Sequence, residues 1–166
     1  MFLPDAALRR SGVCIMRISE LLQPPFLKVG LQAKEKEDVF EEMLDLFVDR
    51  GLIQDREAAL QALFEREAKM STGIAKWLAL PHGKLEEARS LMMALGVSKT
   101  GIDYDSLDGE PVYVVLMVFA EVGNPGPHIE ALAEISRLFS IPGFISEIRF
   151  AETAEAILDF IRKEET

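Results

Sequence analysis

His82 and His128 are the two histidines of this 166-residue chain, and both stand beside residues that restrict or free the backbone. His82 lies in Leu80-Pro81-His82-Gly83-Lys84, just after a short apolar segment. There the proline fixes φ and the glycine permits unusual angles, so a side chain can be held in one orientation. His128 ends Gly123-Asn124-Pro125-Gly126-Pro127-His128, where a helix is expected to begin, and the free N–H groups of a first helical turn favour anions. With an ordinary pKa of about 6.5, imidazole is a nucleophile, a proton carrier or a donor to a phosphoryl or carboxylate oxygen. An isolated imidazole is also commonly a half-buried packing residue. The spacing of the two histidines leaves open whether they meet in space.

Other chemistries find no support. A hydrolase triad needs a Ser or Cys nucleophile with a base and an orienting acid, yet no Gly-x-Ser-x-Gly occurs and the single cysteine, Cys14, sits near the N-terminus. No Walker A and no Gly-x-Gly-x-x-Gly offers a phosphate cradle. One cysteine forms no internal disulfide, and no Cys/His cluster has metal-ligand spacing, so neither a metal nor another cofactor is expected. The formal charge of −10 opposes binding to nucleic-acid phosphates and anionic lipid surfaces, and reads as solubility. The longest apolar run, Val112 to Ala120, falls short of the roughly 20 residues of a membrane helix. Arg9 and Arg10 follow the few N-terminal apolar residues instead of preceding them, which is not a secretory signal. A cytoplasmic location is the expectation.

The elements that position the histidines can be read from periodicity. Val39, Phe40, Met43, Leu44, Phe47 and Val48 make one apolar stripe of a helix from about Lys34 to Arg50, with Gly51 after it. Asp55 can cap a second helix that turns Leu60, Leu63 and Phe64 inward. Ile129, Leu132, Ile135 and Phe139 have helical spacing. Pro142 starts a short helix with Phe144, Ile145 and Ile148, and Thr153 caps a last one with Ile157, Leu158 and Ile161 inside. Between them, Leu78 to Leu80, Leu91 to Val97 and Val112 to Ala120 read as strands, the last buried on both faces. Val29 and Ile102 to Tyr104 mark further ones. The pattern predicts an α/β fold: a single three-layer domain whose mixed β-sheet is flanked by helices on both sides. Residues 1–15 lack periodicity and are expected to be a disordered extension or a misplaced start, with the domain over 16–166.

With these residues in view, the stretch Phe64-Glu65-Arg66-Glu67-Ala68-Lys69-Met70-Ser71-Thr72-Gly73-Ile74, followed by Leu78-Ala79-Leu80-Pro81-His82-Gly83-Lys84, resembles a known active-site block. It is that of the type 2 enzyme IIA domains of the bacterial phosphoenolpyruvate-dependent phosphotransferase system, the fructose/mannitol and nitrogen-regulatory branch. Met16 to Leu22, Gly101 to Asp105, Asp108 to Val112 and His128 extend the likeness over about residues 16–162. The resemblance implies a phosphocarrier. His82 would accept a phosphoryl group on Nε2 from the small histidine phosphocarrier protein, and His128 and Arg66 would stabilise its oxygens. Thr72 and Gly83 would support the site. Apart from the likeness, Arg66 reads as a solvated arginine at a helix end.

One departure stands out. Ala75-Lys76-Trp77 occupies the place where the family carries two glycines before the Pro-His strand. Trp77 either presents an aromatic surface to a partner or packs inward as core, and the second is the expectation. The lack of a IIB-like cysteine motif and of a membrane domain in this sequence favours a regulatory phosphocarrier over a sugar-transporting one. A non-catalytic interaction protein that keeps the fold, a IIA subunit of a fructose/mannitol-type transporter and an accessory domain of an anion carrier are the alternatives. A IIB component or a regulated target would be the recipient.

Overall fold

Helices at both ends and strands in the middle are what the hydrophobic pattern requires, and the computed structural model has that order over the residues it describes, 16–165. The expected N-terminal extension over 1–15, Cys14 included, lies outside the described residues. The chain runs through α1 (Ile18–Leu21), a 3-10 turn (Pro24–Phe26), β1 (Leu27–Val29), α2 (Lys36–Val48) and α3 (Arg56–Lys69). It continues with β2 (Leu78–Ala79), β3 (His82–Leu85), β4 (Met92–Ile102) and β5 (Val112–Glu121). It closes with α4 (Pro125–Phe139), α5 (Phe144–Phe150) and α6 (Ala154–Glu165).

The sheet is mixed, as expected. Strand β5 is its hub: it pairs antiparallel with β4 and parallel with both β2 and β3, while β1 lies parallel outside β4. Because successive side chains of a strand face opposite ways, β5 feeds two cores. Val115, Met117 and Phe119 pack with Phe40, Met43 and Phe47 of α2 and Leu63 of α3. Val114, Leu116 and Val118 pack with Ile135 of α4, Phe144 of α5 and Ile161 of α6. This makes one domain of three layers. Each fully buried Leu, Ile or Phe in these layers stabilises it by roughly 1.5–3 kcal/mol.

Local chemistry sets several boundaries. The Asp55 carboxylate accepts the Ala58 N–H at 3.0 Å and the Thr153 hydroxyl accepts the Ala156 N–H at 3.1 Å, the two expected caps. Gly96 faces α2 because a Cβ there would lie 2.6 Å from the Met43 sulfur and 2.8 Å from Leu31. That missing side chain lets helix and sheet close up.

Two expectations change, those for Ile102 to Tyr104 and for Phe64. Ile102 to Tyr104 is not a separate strand, since Ile102 ends β4 beyond a register shift after Val97 and pairs with Val112. His82, expected just after the short apolar segment, is the first residue of β3. The helical spacing of Ile129, Leu132, Ile135 and Phe139 is that of α4, whose buried stripe is His128, Ala131, Ile135 and Leu138, with Ile129 one position off it and 64% exposed. Phe64 likewise remains at a rim, tilted against Phe40 at 5.2 Å between centroids.

Candidate functional site

The site lies on the edge strand of the sheet, where both helical layers reach it. Strand β3 pairs with β5 on one side only, and His82 stands opposite Val118, on the face covered by α4. Its neighbour Gly83 stands opposite Phe119, on the face covered by α3. A Cβ at Gly83 would come within 3.1 Å of the Ala62 methyl, so this glycine sets how closely α3 approaches the strand. Arg66, four residues along α3 from Ala62 and so on the same side of it, is thereby brought to the imidazole.

Three groups expected from the sequence meet. The Arg66 Nε–H points at His82 Nε2 at 3.3 Å, while Arg66 Nη1 donates to the Met70 carbonyl at 2.9 Å and so fixes the guanidinium. His128 approaches from α4 edge to face, 5.2 Å between ring centroids and 81° between planes. The His128 ring is buried, and its Nε2 has no protein partner, a costly arrangement unless another group fills it. His128 also lines a groove of about 840 Å3 together with Asn124 and Arg89.

The tautomer of His82 follows from its other nitrogen. Nδ1 lies 2.7 Å from the Leu80 carbonyl, an acceptor, so Nδ1 carries the proton and Nε2 carries the lone pair. Burial lowers the His82 pKa; the Leu80 carbonyl opposes this and Arg66 adds to it. Burial also lowers that of His128, helped by His82 and Lys84. Both rings are therefore neutral near pH 7. The result is an imidazole lone pair between a guanidinium and a second imidazole, suited to forming a bond to an electrophile whose oxygens carry negative charge.

Thr72 belongs to a buried hydrogen-bonded group beside the site. It is 2% exposed, its hydroxyl donates to Glu67 at 2.6 Å, and the Tyr104 hydroxyl lies 2.7 Å away. Glu67, Tyr104 and Lys36 were missed by sequence reasoning. A signal existed for Glu67: it continues the buried stripe Ala59, Leu63 of α3, where a carboxylate needs partners. Burial drives the Tyr104 pKa far up, so its hydroxyl stays protonated.

Trp77 does not enter the core. It is half-buried and left-handed, with φ 66°, and its carbonyl receives the N–H groups of Tyr113 and Val114, both at 2.9 Å. Its ring meets Tyr113 edge-on at 5.8 Å. The Arg149 guanidinium covers the pair, 3.5 Å from the Tyr113 centroid and 4.2 Å from that of Trp77. This surface stack replaces the inward packing expected, because a left-handed residue at the sheet margin directs its side chain along the surface. Among the described residues no group of three His, Cys, Asp or Glu side chains could hold a metal ion, and no helix is long and apolar enough to cross a membrane.

Comparison with known proteins places the chain in a family. Residues 20–164 match the family model described as "Phosphoenolpyruvate-dependent sugar phosphotransferase system, EIIA 2". The chain is 38% identical over 148 residues to the fructose-specific EIIABC component of Bacillus subtilis, covering 89% of this chain but 23% of that relative's length. It is 32% identical to the fructose-specific EIIA component of Haloferax volcanii, covering 91% of this chain and 93% of the relative. The crystal structure of the nitrogen regulatory protein IIA-Ntr from Neisseria meningitidis superposes with a TM-score of 0.80 at 24% identity, over 87% of this chain and 98% of that one. From the match over residues 20–164 and the relatives at 38% and 32% identity, the chain belongs to the type 2 EIIA family of the phosphoenolpyruvate-dependent phosphotransferase system.

Proposed function

We propose that this protein is a phosphocarrier that accepts a phosphoryl group on Nε2 of His82 from the histidine phosphocarrier protein and passes it to a second protein. The observation that carries the reading is the convergence of His82 Nε2, the Arg66 guanidinium and the unpartnered Nε2 of His128 at one sheet edge. In the transfer, the Nε2 lone pair forms the new N–P bond. The donor's N–P bond breaks, its electron pair returns to the donor imidazole, and the His82 proton stays on Nδ1, hydrogen-bonded to the Leu80 carbonyl. Phosphoryl transfer asks mainly for positioning and for charge to meet the spread-out oxygens. Arg66 and His128 supply both without a metal.

This convergence also favours retained transfer over an interaction protein that has kept only the fold. For the output, a regulated target is the first reading, as in the nitrogen-regulatory neighbour's name. A IIA subunit serving a IIB component is the second, favoured by the names of the two fructose-specific relatives. The location is cytoplasmic, where such a relay operates.

The test is incubation with phosphoenolpyruvate, enzyme I and the histidine phosphocarrier protein, followed by intact-mass measurement. One acid-labile phosphoryl group on the wild type and none on His82→Ala is the expected result. An unlabelled wild type, or a labelled His82→Ala, overturns the proposal. Adding a fructose-type IIB protein then separates the outputs: loss of the phosphoryl group to IIB supports the transporter reading, and its retention supports the regulatory one.

A further inference from the structure

Glu67 follows Arg66 on α3, yet its carboxylate turns into the protein and is 8% exposed. It receives the Thr72 N–H at 3.0 Å, the Thr72 hydroxyl at 2.6 Å and the Lys36 ammonium at 3.0 Å. Because the Thr72 hydroxyl gives its proton to Glu67, the Tyr104 hydroxyl donates to Thr72 in turn. The backbone of Thr72 carries the connection onward. Its carbonyl accepts the Leu80 N–H at 2.9 Å, and the Leu80 carbonyl holds Nδ1 of His82 at 2.7 Å. A continuous hydrogen-bonded chain therefore runs from Lys36, at the first turn of α2, to the nucleophilic imidazole.

We infer that Glu67 is a positioning residue for phosphoryl transfer: by anchoring Thr72 it fixes the backbone of Leu80 at its N–H, and the Leu80 carbonyl keeps the His82 proton on Nδ1 and the lone pair on Nε2. This rests on the phosphocarrier reading of His82. The physical reason is that which ring nitrogen of a neutral imidazole keeps the proton is set by the hydrogen bond made at the other. Here that bond is to a single peptide oxygen in the two-residue break between β2 and β3. The Leu80–Pro81 peptide that carries this oxygen has no N–H of its own, so its orientation is set through its neighbours: the Leu80 N–H donates to the Thr72 carbonyl on one side and the Pro81 carbonyl accepts the Val118 N–H on the other. Thr72 in turn is gripped by Glu67. Arg66, the preceding residue, contacts Nε2 from outside the chain. Adjacent residues of α3 thus act on the two nitrogens of one ring, one directly and one through the backbone.

The experiment reads the His82 tautomer by 15N NMR on the full chain labelled at histidine, with no phosphoryl donor present. Glu67→Ala alone would leave the Lys36 charge poorly paired, so it is combined with Lys36→Met. The wild type shows the Nδ1–H form as dominant. In the double variant the ring moves toward a mixture of both tautomers, and kcat for phosphoryl acceptance falls roughly 10- to 100-fold, the scale of a small misplacement. KM for the phosphorylated donor stays unchanged. Glu67→Gln combined with Lys36→Met restores an acceptor for the Thr72 N–H and brings the Nδ1–H form back. Glu67→Asp keeps the charge opposite Lys36 while drawing back from Thr72, so it gives a folded protein with a shifted tautomer even where the double variant does not fold. A folded Glu67→Asp or double variant with the wild-type tautomer overturns the proposal. Because the tautomer is read without any donor, a wild type that accepts no phosphoryl group defeats the phosphocarrier reading separately.

Discussion

Arg66 Nε and His82 Nε2 stand 3.3 Å apart, so a permanent cation rests beside the one lone pair available for bond formation. Arg66 comes from a helix on one face of the sheet, and His128 from a helix on the other. The proposed nucleophile, His82, is thus flanked by two side chains whose positions are fixed by separate hydrophobic layers.

The two flanking groups are expected to differ from His82 in kind. His128→Ala removes an oxygen contact and leaves the nucleophile, so labelling slows by roughly 10²-fold, the usual effect of deleting one donor to a developing charge. Arg66→Lys replaces a planar fork with a point charge and slows labelling as well. Rapid-quench labelling with the phosphorylated donor measures both. Complete loss of labelling in a folded His128→Ala protein would contradict its role as an oxygen donor.

Burial holds the His82 and His128 pKa values below 6.5, and NMR titration of each ring should place its midpoint there. The sign for stability follows. Above pH 6.5 neither the folded nor the unfolded chain holds these protons. As pH falls below 6.5 the unfolded chain takes them up first, so folded-state stability declines until the folded values are passed. Urea midpoints at pH 7 and at about pH 5 should therefore drop more for the wild type than for a His82→Gln, His128→Gln variant. An equal drop would show that burial does not govern these rings.

Gly83→Ala tests the approach of α3 to β3. The new Cβ would press on Ala62 at 3.1 Å, costing about 1–3 kcal/mol by overpacking and moving Arg66 from His82. Adding Ala62→Gly opens the space and should recover the labelling rate, although a helix glycine itself costs about 1 kcal/mol. Chemical denaturation and labelling rates, measured on the same samples, separate the two effects. A rate that stays low in the double variant would argue against this geometry.

At Trp77 the usual order of substitutions is expected to invert. With φ 66° the backbone is left-handed, a conformation that costs a residue with a side chain about 1–2 kcal/mol. Trp77→Ala loses the stack with Tyr113 and Arg149 and keeps that cost. Trp77→Gly loses the same stack and escapes the cost, so it should be the more stable by about 1 kcal/mol. Thermal unfolding of the two variants decides it, and an Ala variant equal to or more stable than Gly would refute the strain.

Much of the fold was legible because its signals are local. The stripe of α2, the caps Asp55 and Thr153 and the doubly buried β5 each follow from periodicity or a single side chain. The two histidines were legible through their Pro and Gly neighbours. What stayed hidden depends on pairing at a distance. That His82 begins a strand is decided by its partner Val118, and that Ile102 continues β4 is decided by a register shift opposite Val112. Trp77 was misplaced because burial was inferred from its size, whereas its backbone angle decides where it points. Glu67 was quoted in the motif and passed over, since a helical carboxylate beside an arginine reads as a solvated pair until its stripe is drawn.

The two-residue break at Leu80-Pro81 also bears on how copies of this protein behave in a crowded solution. It interrupts the outermost strand of the sheet, and an exposed strand edge invites another chain to add on and begin aggregation. Here the inviting groups are withdrawn. Pro81 has no N–H and gives its carbonyl to Val118, while the Leu80 N–H is taken by Thr72 and its carbonyl by the His82 ring. The arrangement that orients the His82 ring therefore also leaves no row of free donors and acceptors at this break, so the edge offers a second chain no template at Leu80-Pro81.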